Sequence, residues 1–196
     1  MNGDNVFFTS DTHFGHSNII KYCGRPFSSI EEHDKTLIEN WNRTVAKNAT
    51  VYHLGDMMFK MPLERRYDLF KKLNGHIHFI MGNHDREGQI QLAKDCGLIK
   101  SVDQIKVIKV DGQQIVLCHY AMYVWPHKHH CAWHLFGHSH GNISPLAVSR
   151  NLWLDVGVDA VAKRLQVGEL PSRWPHISTY RPVSFTEIKD YFERNY

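Results

Sequence analysis

Long apolar runs are missing from this 196-residue chain. None approaches the roughly 20 residues that a membrane-crossing helix requires. The opening stretch MNGDNVFFTSD has neither a basic segment nor an extended apolar one, so no secretory leader is expected and the chain reads as cytoplasmic. Cysteine is sparse. Cys23, Cys96, Cys118 and Cys131 stand at irregular spacing with no Cys-x-x-Cys pair, which speaks for free thiols rather than a disulfide framework. A surplus of one charge is missing too: 23 Lys and Arg face 20 Asp and Glu, too mild a balance for an obligate nucleic-acid or membrane-surface protein. With 42% hydrophobic and 22% charged residues, and no repeat or low-complexity linker, the chain is neither disordered, collagen-like nor a coiled coil. Its length predicts one domain, 1–196, able to bury a core without a disulfide or structural metal.

What the chain has in excess is histidine, 15 against 13 glycines, although glycine is one of the commonest residues. Imidazole is a common metal ligand and acid/base, so the excess needs an address. Apolar patterning predicts strands at 6–9, 50–54, 77–81, 105–110, 114–118, 133–136 and 152–156. Helices are expected from the Ser28-x-x-Glu31 capping box to about Lys47, from Pro62 to about Leu73, over 87–96, and from Ser184-x-x-Glu187 to about Arg194. Asp111-Gly112 signals a hairpin. This order, βαβαβα and then mostly β with a closing helix, argues an α/β layered fold. Residues 161–182, with Gly168, Pro171, Pro175 and Pro182, read as a loop insertion near the cleft.

The residues after the apolar runs share a chemistry. Val6-Phe7-Phe8-Thr9-Ser10 leads to Asp11 and His13, and Val51-Tyr52-His53-Leu54-Gly55 to Asp56. His78-Phe79-Ile80-Met81-Gly82 leads to Asn83-His84-Asp85, Ile115-Val116-Leu117-Cys118 to His119, and His134-Leu135-Phe136-Gly137 to His138 and His140. Ligands of open α/β sheets bind beyond the carboxyl ends of the strands, so these residues converge on one rim. Gly55, Gly82 and Gly137 are expected to turn the backbone sharply onto the site. Asp11, His13, Asp56, Asn83, His119, His138 and His140 make seven candidate ligands, all nitrogen or oxygen donors. That is too many for one ion and suits two, if one carboxylate bridges. Paired ions are a standard device for in-line displacement at phosphorus. His84 is left over beside Asp85, a natural general acid whose tautomer the carboxylate would hold.

The blocks Asp11-Thr-His13, Gly55-Asp56, Gly82-Asn83-His84-Asp85, His119 and Gly137-His138-Ser-His140 resemble, in type and order, the calcineurin-like metallophosphoesterase superfamily. Ser10-Asp11-Thr12-His13-Phe14-Gly15-His16, Trp133 to Gly141 and Asp155-Val156-Gly157-Val158-Asp159-Ala160 are similar to small single-domain phosphoesterases of bacteria and bacteriophages. The resemblance implies a four-layer αββα sandwich with a dinuclear site. One metal would take Asp11, His13, Asp56 and His140, and the other Asp56, Asn83, His119 and His138. Asp56 would bridge, and His84 would protonate the leaving group. It implies a hydrolase in which metal-bound hydroxide attacks phosphorus in line, with a small or nucleotide phosphodiester, including cyclic nucleotides, as preferred substrate. A phosphomonoesterase and a non-catalytic binding scaffold are the alternatives. Two divalent ions are expected, Mn²⁺ first, then Fe or Zn²⁺. Met57-Met58-Phe59 departs from the acidic or basic residue many relatives carry there.

Other residues admit two readings. His16, Arg25, Arg86 and Lys128 are candidate substrate contacts, against an exposed or capping His and solvated cations. His53 reads as a hydrogen-bonded core residue. The His127-Lys128-His129-His130-Cys131 tract reads as a polar loop over the cleft rather than a second zinc site. Trp125, Trp133 and Trp153 could stack a base but suit a core better. Asp155 and Asp159 could support ligands from behind. No membrane partner is expected, single-stranded nucleic acid stays open as a substrate, and the oligomeric state is not addressed.

Overall fold

The structure is a computed structural model describing residues 1–143, 152–165 and 176–195. Strands β1 (Val6–Thr9), β2 (Thr50–His53), β3 (His76–Ile80) and β4 (Ser101–Asp103) run parallel, and β9 (Val183–Ser184) pairs antiparallel with β1. A second sheet contains the antiparallel pair β5 (Ile105–Val110) and β6 (Gln113–Cys118), then β7 (Trp133–Phe136) and β8 (Trp153–Asp155) parallel to β6. Their orders are β4-β3-β2-β1-β9 and β5-β6-β7-β8. The helices are α1 (Ser17–Cys23), α2 (Ile30–Thr44), α3 (Leu63–Lys72), α4 (Glu87–Asp95), α5 (Val158–Leu165) and α6 (Phe185–Asn195). The protein is thus a single-domain α/β sandwich of two sheets flanked by helices.

Side-chain alternation along the strands makes the layers. Phe7, Val51, Ile77 and Phe79 share one buried cluster with Leu37 and Trp41 of α2, Leu69 and Phe70 of α3, and Ile90 of α4. Val6, Phe8 and Tyr52, one residue out of phase, pack with Ile115, Leu117, Leu135 and Leu154 of the second sheet, and with Phe185, Ile188 and Phe192 of α6. On the second sheet's other face Val116 packs against Trp125 and Ala132, which come from the segment between β6 and β7.

The expected elements are present with boundaries shifted by at most about three residues. Helix α2 ends at Thr44, short of the anticipated Lys47. Ser29 caps its first turn by accepting from the Glu32 N–H, while the Glu32 carboxylate accepts from Ser28, so the capping box sits one residue later than read. The segment 161–182 is not a continuous loop. Residues up to Leu165 finish α5, and Ile177–Thr179 form a 3₁₀ turn. The remainder, 166–175, lies outside the described residues.

Candidate metal centre

The turn after β1 continues alongside the turn after β2. Asp11 N–H donates to Gly55 O at 3.0 Å, His13 N–H to Asp56 O at 3.0 Å, and Phe14 N–H to Met57 O at 2.9 Å. The residues that carry the chemistry sit in unusual backbone. Asp11, His13, Asp56, His138 and His140 all have φ between 50° and 64°, the left-handed region that non-glycine residues seldom adopt. Such conformations persist only where surroundings over-determine them, and they cluster at functional sites. Of the three glycines expected to turn the chain, Gly55 has φ 92° and does so. Gly82 and Gly137 lie outside that left-handed region. They are small because Asp56, and Ser10 with Asp11, occupy the space a Cβ would need.

The seven expected ligands converge. Asp11, His13 and His140 form one cluster able to hold an ion, and Asp56, His119 and His138 another. Asp56 joins them: its Oδ2 lies 3.8 Å from His13 Nε2 and 3.5 Å from His119 Nε2. Asn83 Oδ1 stands 3.1 Å from His119 Nε2 and 2.9 Å from His138 Nδ1. The residues fit a cation on a further count. Asp11 Oδ1 and both ring nitrogens of His13 are buried without a hydrogen-bond partner. Orphaned buried polar atoms are costly, and a bound ion would satisfy them.

Burial dominates the electrostatics. It lifts the Asp11 carboxyl to about 7 and pushes His13 far below the usual imidazole range, to about 2. Burial also opposes ionisation of Asp56, but the hydrogen bond and charge of His119, with His84 and His13, hold its carboxyl below the usual range.

The rings are aimed from behind. His119 Nδ1–H donates to Leu54 O at 2.7 Å, leaving Nε2 toward Asp56. His140 Nδ1–H donates to Asp159 Oδ2 at 2.7 Å. Burial works against the charged His140 ring, but this bond, Cys23 and the Asp11 charge outweigh it and raise the ring to about 10. Asp159 is paired bidentately with Arg25, at 2.9 Å from Nε and 2.8 Å from Nη2. Asp155 accepts from Ser139 Oγ, Gly141 N–H and Gly157 N–H, which holds the loop bearing His138 and His140.

Two expectations are corrected here. Arg25 does not face substrate. It is 3% exposed, and besides Asp159 it bonds Thr12 O, Asp11 O and His33 Nε2, so its donors are spent inside the protein. Asp85 does not orient His84. Its carboxylate accepts from the N–H groups of Asp56, Gly82 and Met57, tying together the turns after β2 and β3. Burial raises that carboxyl to about 6 against these bonds. His84 is placed instead by its own N–H, which donates to Asp56 Oδ1 at 2.9 Å. Its Nε2 stands 4.0 Å from Asp56 Oδ2 on a ring 41% exposed.

His16 stacks on Phe59, 4.1 Å between centroids, and lies 5.5 Å from His13, at the site's edge. Phe59 also meets His84, so the apolar Met57-Met58-Phe59 segment supplies core through its methionines and a wall through its phenylalanine. Arg86 is exposed at the start of α4. Lys128 is engaged within its own loop: its Nζ donates to Tyr123 O and lies over the rings of Tyr123 and Trp125. His53 is a core residue, bonded to Thr12 Oγ1 and stacked on Phe79. The 127–131 tract joins none of the metal-capable groups among the described residues. Trp125 and Trp133 are buried, and Trp153 packs against the Trp125 cluster. Asp159 supports His140, in line with the expectation for it, whereas its pairing with Arg25 and the place of Cys23 beside His140 were not anticipated from spacing.

No protein-family profile matches the chain. It is 35% identical over 179 residues to uncharacterized protein MJ1445 of Methanocaldococcus jannaschii, covering 84% of this chain and 93% of that one. Gene 66 protein of Mycobacterium phage L5 is 28% identical over 88% of this chain and 95% of its own length. Among solved structures, the protein of unknown function AQ665 from Aquifex aeolicus shares the fold, with TM-score 0.68 and 23% identity over 95% of this chain and 98% of that chain. An archaeal phosphodiesterase overlaps more loosely, with TM-score 0.47 and 19% identity over 78% of this chain and 81% of its own. On the first of these similarities, the chain belongs to the family of M. jannaschii protein MJ1445.

Proposed function

We propose that this protein is a metal-dependent phosphoric ester hydrolase with two divalent cations, acting by preference on phosphodiesters. One observation carries the reading: a single carboxylate oxygen, Asp56 Oδ2, stands between the two ligand clusters and within 4.0 Å of the exposed His84 ring. Bound there, paired cations would activate a water and offset charge on the phosphoryl oxygens. Asp11, His13, Asp56 and His140 would hold one, and Asp56, Asn83, His119 and His138 the other. The donor set is nitrogen and oxygen, which suits Mn²⁺ first, then Fe or Zn²⁺.

The remaining work falls to the chain. Hydrolysis adds a water oxygen to phosphorus and breaks the bond to the leaving oxygen. His84 donates a proton to that leaving oxygen and is reprotonated from the water consumed. Its tether to Asp56 keeps the acid in register with the bridging carboxylate. Asp85 acts as a brace for both turns.

The test uses metal-stripped protein reconstituted with Mn²⁺, offered a chromogenic diester and the matching monoester. The expected result is Mn²⁺-dependent hydrolysis, faster on the diester, with kcat down about 10²–10⁴-fold in His84→Ala at unchanged metal content. A dominant monoester rate moves the assignment to phosphatase. Two bound metals with no rate on either ester favours a binding scaffold.

A further inference from the structure

Two exposed tyrosines bracket the site. Tyr22 is 73% exposed and Tyr120 46%. The Tyr22 ring stands edge-on to His16 at 6.1 Å, and His16 packs 5.5 Å from His13. Tyr120 lies 4.8 Å from His138 and 5.1 Å from His119. With the Asp56 contacts to His13 and His119, an unbroken line of neighbours runs Tyr22, His16, His13, Asp56, His119, Tyr120. One tyrosine ends the line on each side, one beside each ligand cluster.

Single exposed aromatics scattered over a surface need no explanation. A pair that ends one line of contacts through a candidate phosphate site, one near each ligand cluster, does. A tyrosine ring offers a rigid π-face at small entropic cost, and nucleobases stack on such rings with little regard to sequence. A cation accompanies the Tyr22 side: Lys60 lies over the ring of Phe59, which is itself stacked on His16. Trp125 and Trp133 do not compete for this role, being only 4% and 7% exposed.

We propose that the substrate is a linear diester joining two nucleosides, the unit of a single strand, with one base on Tyr22, the other on Tyr120 and the phosphate between them. This rests on the phosphodiesterase reading above. A cyclic mononucleotide carries one base and would use one tyrosine at most.

The test is binding of a fluorescent trithymidylate with phosphorothioate linkages to the Mn²⁺-loaded chain, followed by anisotropy. Tyr22→Ala and Tyr120→Ala are each expected to weaken Kd about tenfold, and Tyr22→Phe and Tyr120→Phe to restore it, because the ring and not the hydroxyl is used. The proposal is overturned if neither alanine variant shifts Kd, if only one does, or if the phenylalanine variants lose as much as the alanines. Hydrolysis of bis(p-nitrophenyl) phosphate by the wild type separates the two readings. Absent turnover removes the catalytic assignment, whereas turnover with tyrosine-independent binding removes only the two-base substrate.

Discussion

Asp11 and His13 are shut away from solvent, whereas Asn83 and His138, across Asp56, are exposed to it. The inner cluster is backed by charge: Asp159 holds His140, buried Arg25 holds Asp159, and Arg25 reaches on to His33, whose Nδ1 meets Asp34. The outer cluster is held mainly through backbone groups: Leu54 O takes the His119 ring N–H, Asp85 and the His84 N–H fix Asp56, and the His138 N–H donates to Asp11. The difference follows from desolvation. A group removed from water keeps its charge only beside a partner, so the inner side needs a network, while on the outer side Asn83 and His138 meet solvent.

The largest effect should come where the clusters share a residue. Asp56→Asn removes the common carboxylate, and Mn²⁺ content should fall from two ions to one or none. Loss of several kcal/mol of charge stabilisation corresponds to a rate about a thousandfold lower. Full metal content and full rate in this variant would break the two-cluster description.

Next come the supports. Asp159→Asn leaves Arg25 buried without its anion, so chemical denaturation should show a loss of about 3–5 kcal/mol. Inner-site metal affinity should drop about 10–100-fold. Asn83→Ala, on the exposed side, should weaken outer-site binding with little change in the denaturation midpoint. Equal destabilisation by the two substitutions would erase the contrast. A milder version needs no mutation: graded chelation should strip the ions in two phases, the outer one first, read as the metal remaining per chain. A single phase counts against the inner–outer distinction.

The convergence of the candidate ligands was legible because each follows a strand, and strand ends on one rim must meet. Seven side chains on five strand ends could be assembled without knowing how the chain packs. Asp155 and Asp159 were readable as supports from their place by a strand, but what they pair with was not, for the complementary reason. Arg25 lies 134 positions from Asp159, and nothing local to Gly24-Arg25-Pro26 distinguishes a buried guanidinium from a solvated one. Asp85 misled through adjacency to His84, although neighbouring side chains need not meet and backbone N–H groups were nearer. Helices α1 and α5, seven and eight residues long, are too short for an apolar period to declare itself, and two-residue β9 is an edge added by the chain's return. Local pattern exposed the chemistry, and the long-range polar network that stiffens it became visible only in three dimensions.

The smallest effect comes from a buried histidine outside both clusters. His134, on the outer face of the second sheet, is fully buried. Its Nδ1–H donates to Val116 O at 3.1 Å, and its Nε2 accepts from Met122 N–H at 3.0 Å. Both nitrogens are thereby used by the neutral ring, and burial, against the Val116 and Tyr120 carbonyls, lowers it to about 4. The folded protein refuses a proton that the unfolded chain accepts, so this contribution is full above about pH 6.5 and declines as pH falls toward 4. The slope is at most about 1.4 kcal/mol per pH unit. His134→Phe removes the titration and orphans the Met122 N–H, so it should cost about 1–3 kcal/mol at pH 7.5 and show a shallower loss between pH 6.5 and 5. Denaturation midpoints of both proteins across that range supply the check. Parallel curves would mean that the acid sensitivity lies elsewhere, and His134 could not serve as the reference against which the site histidines are compared.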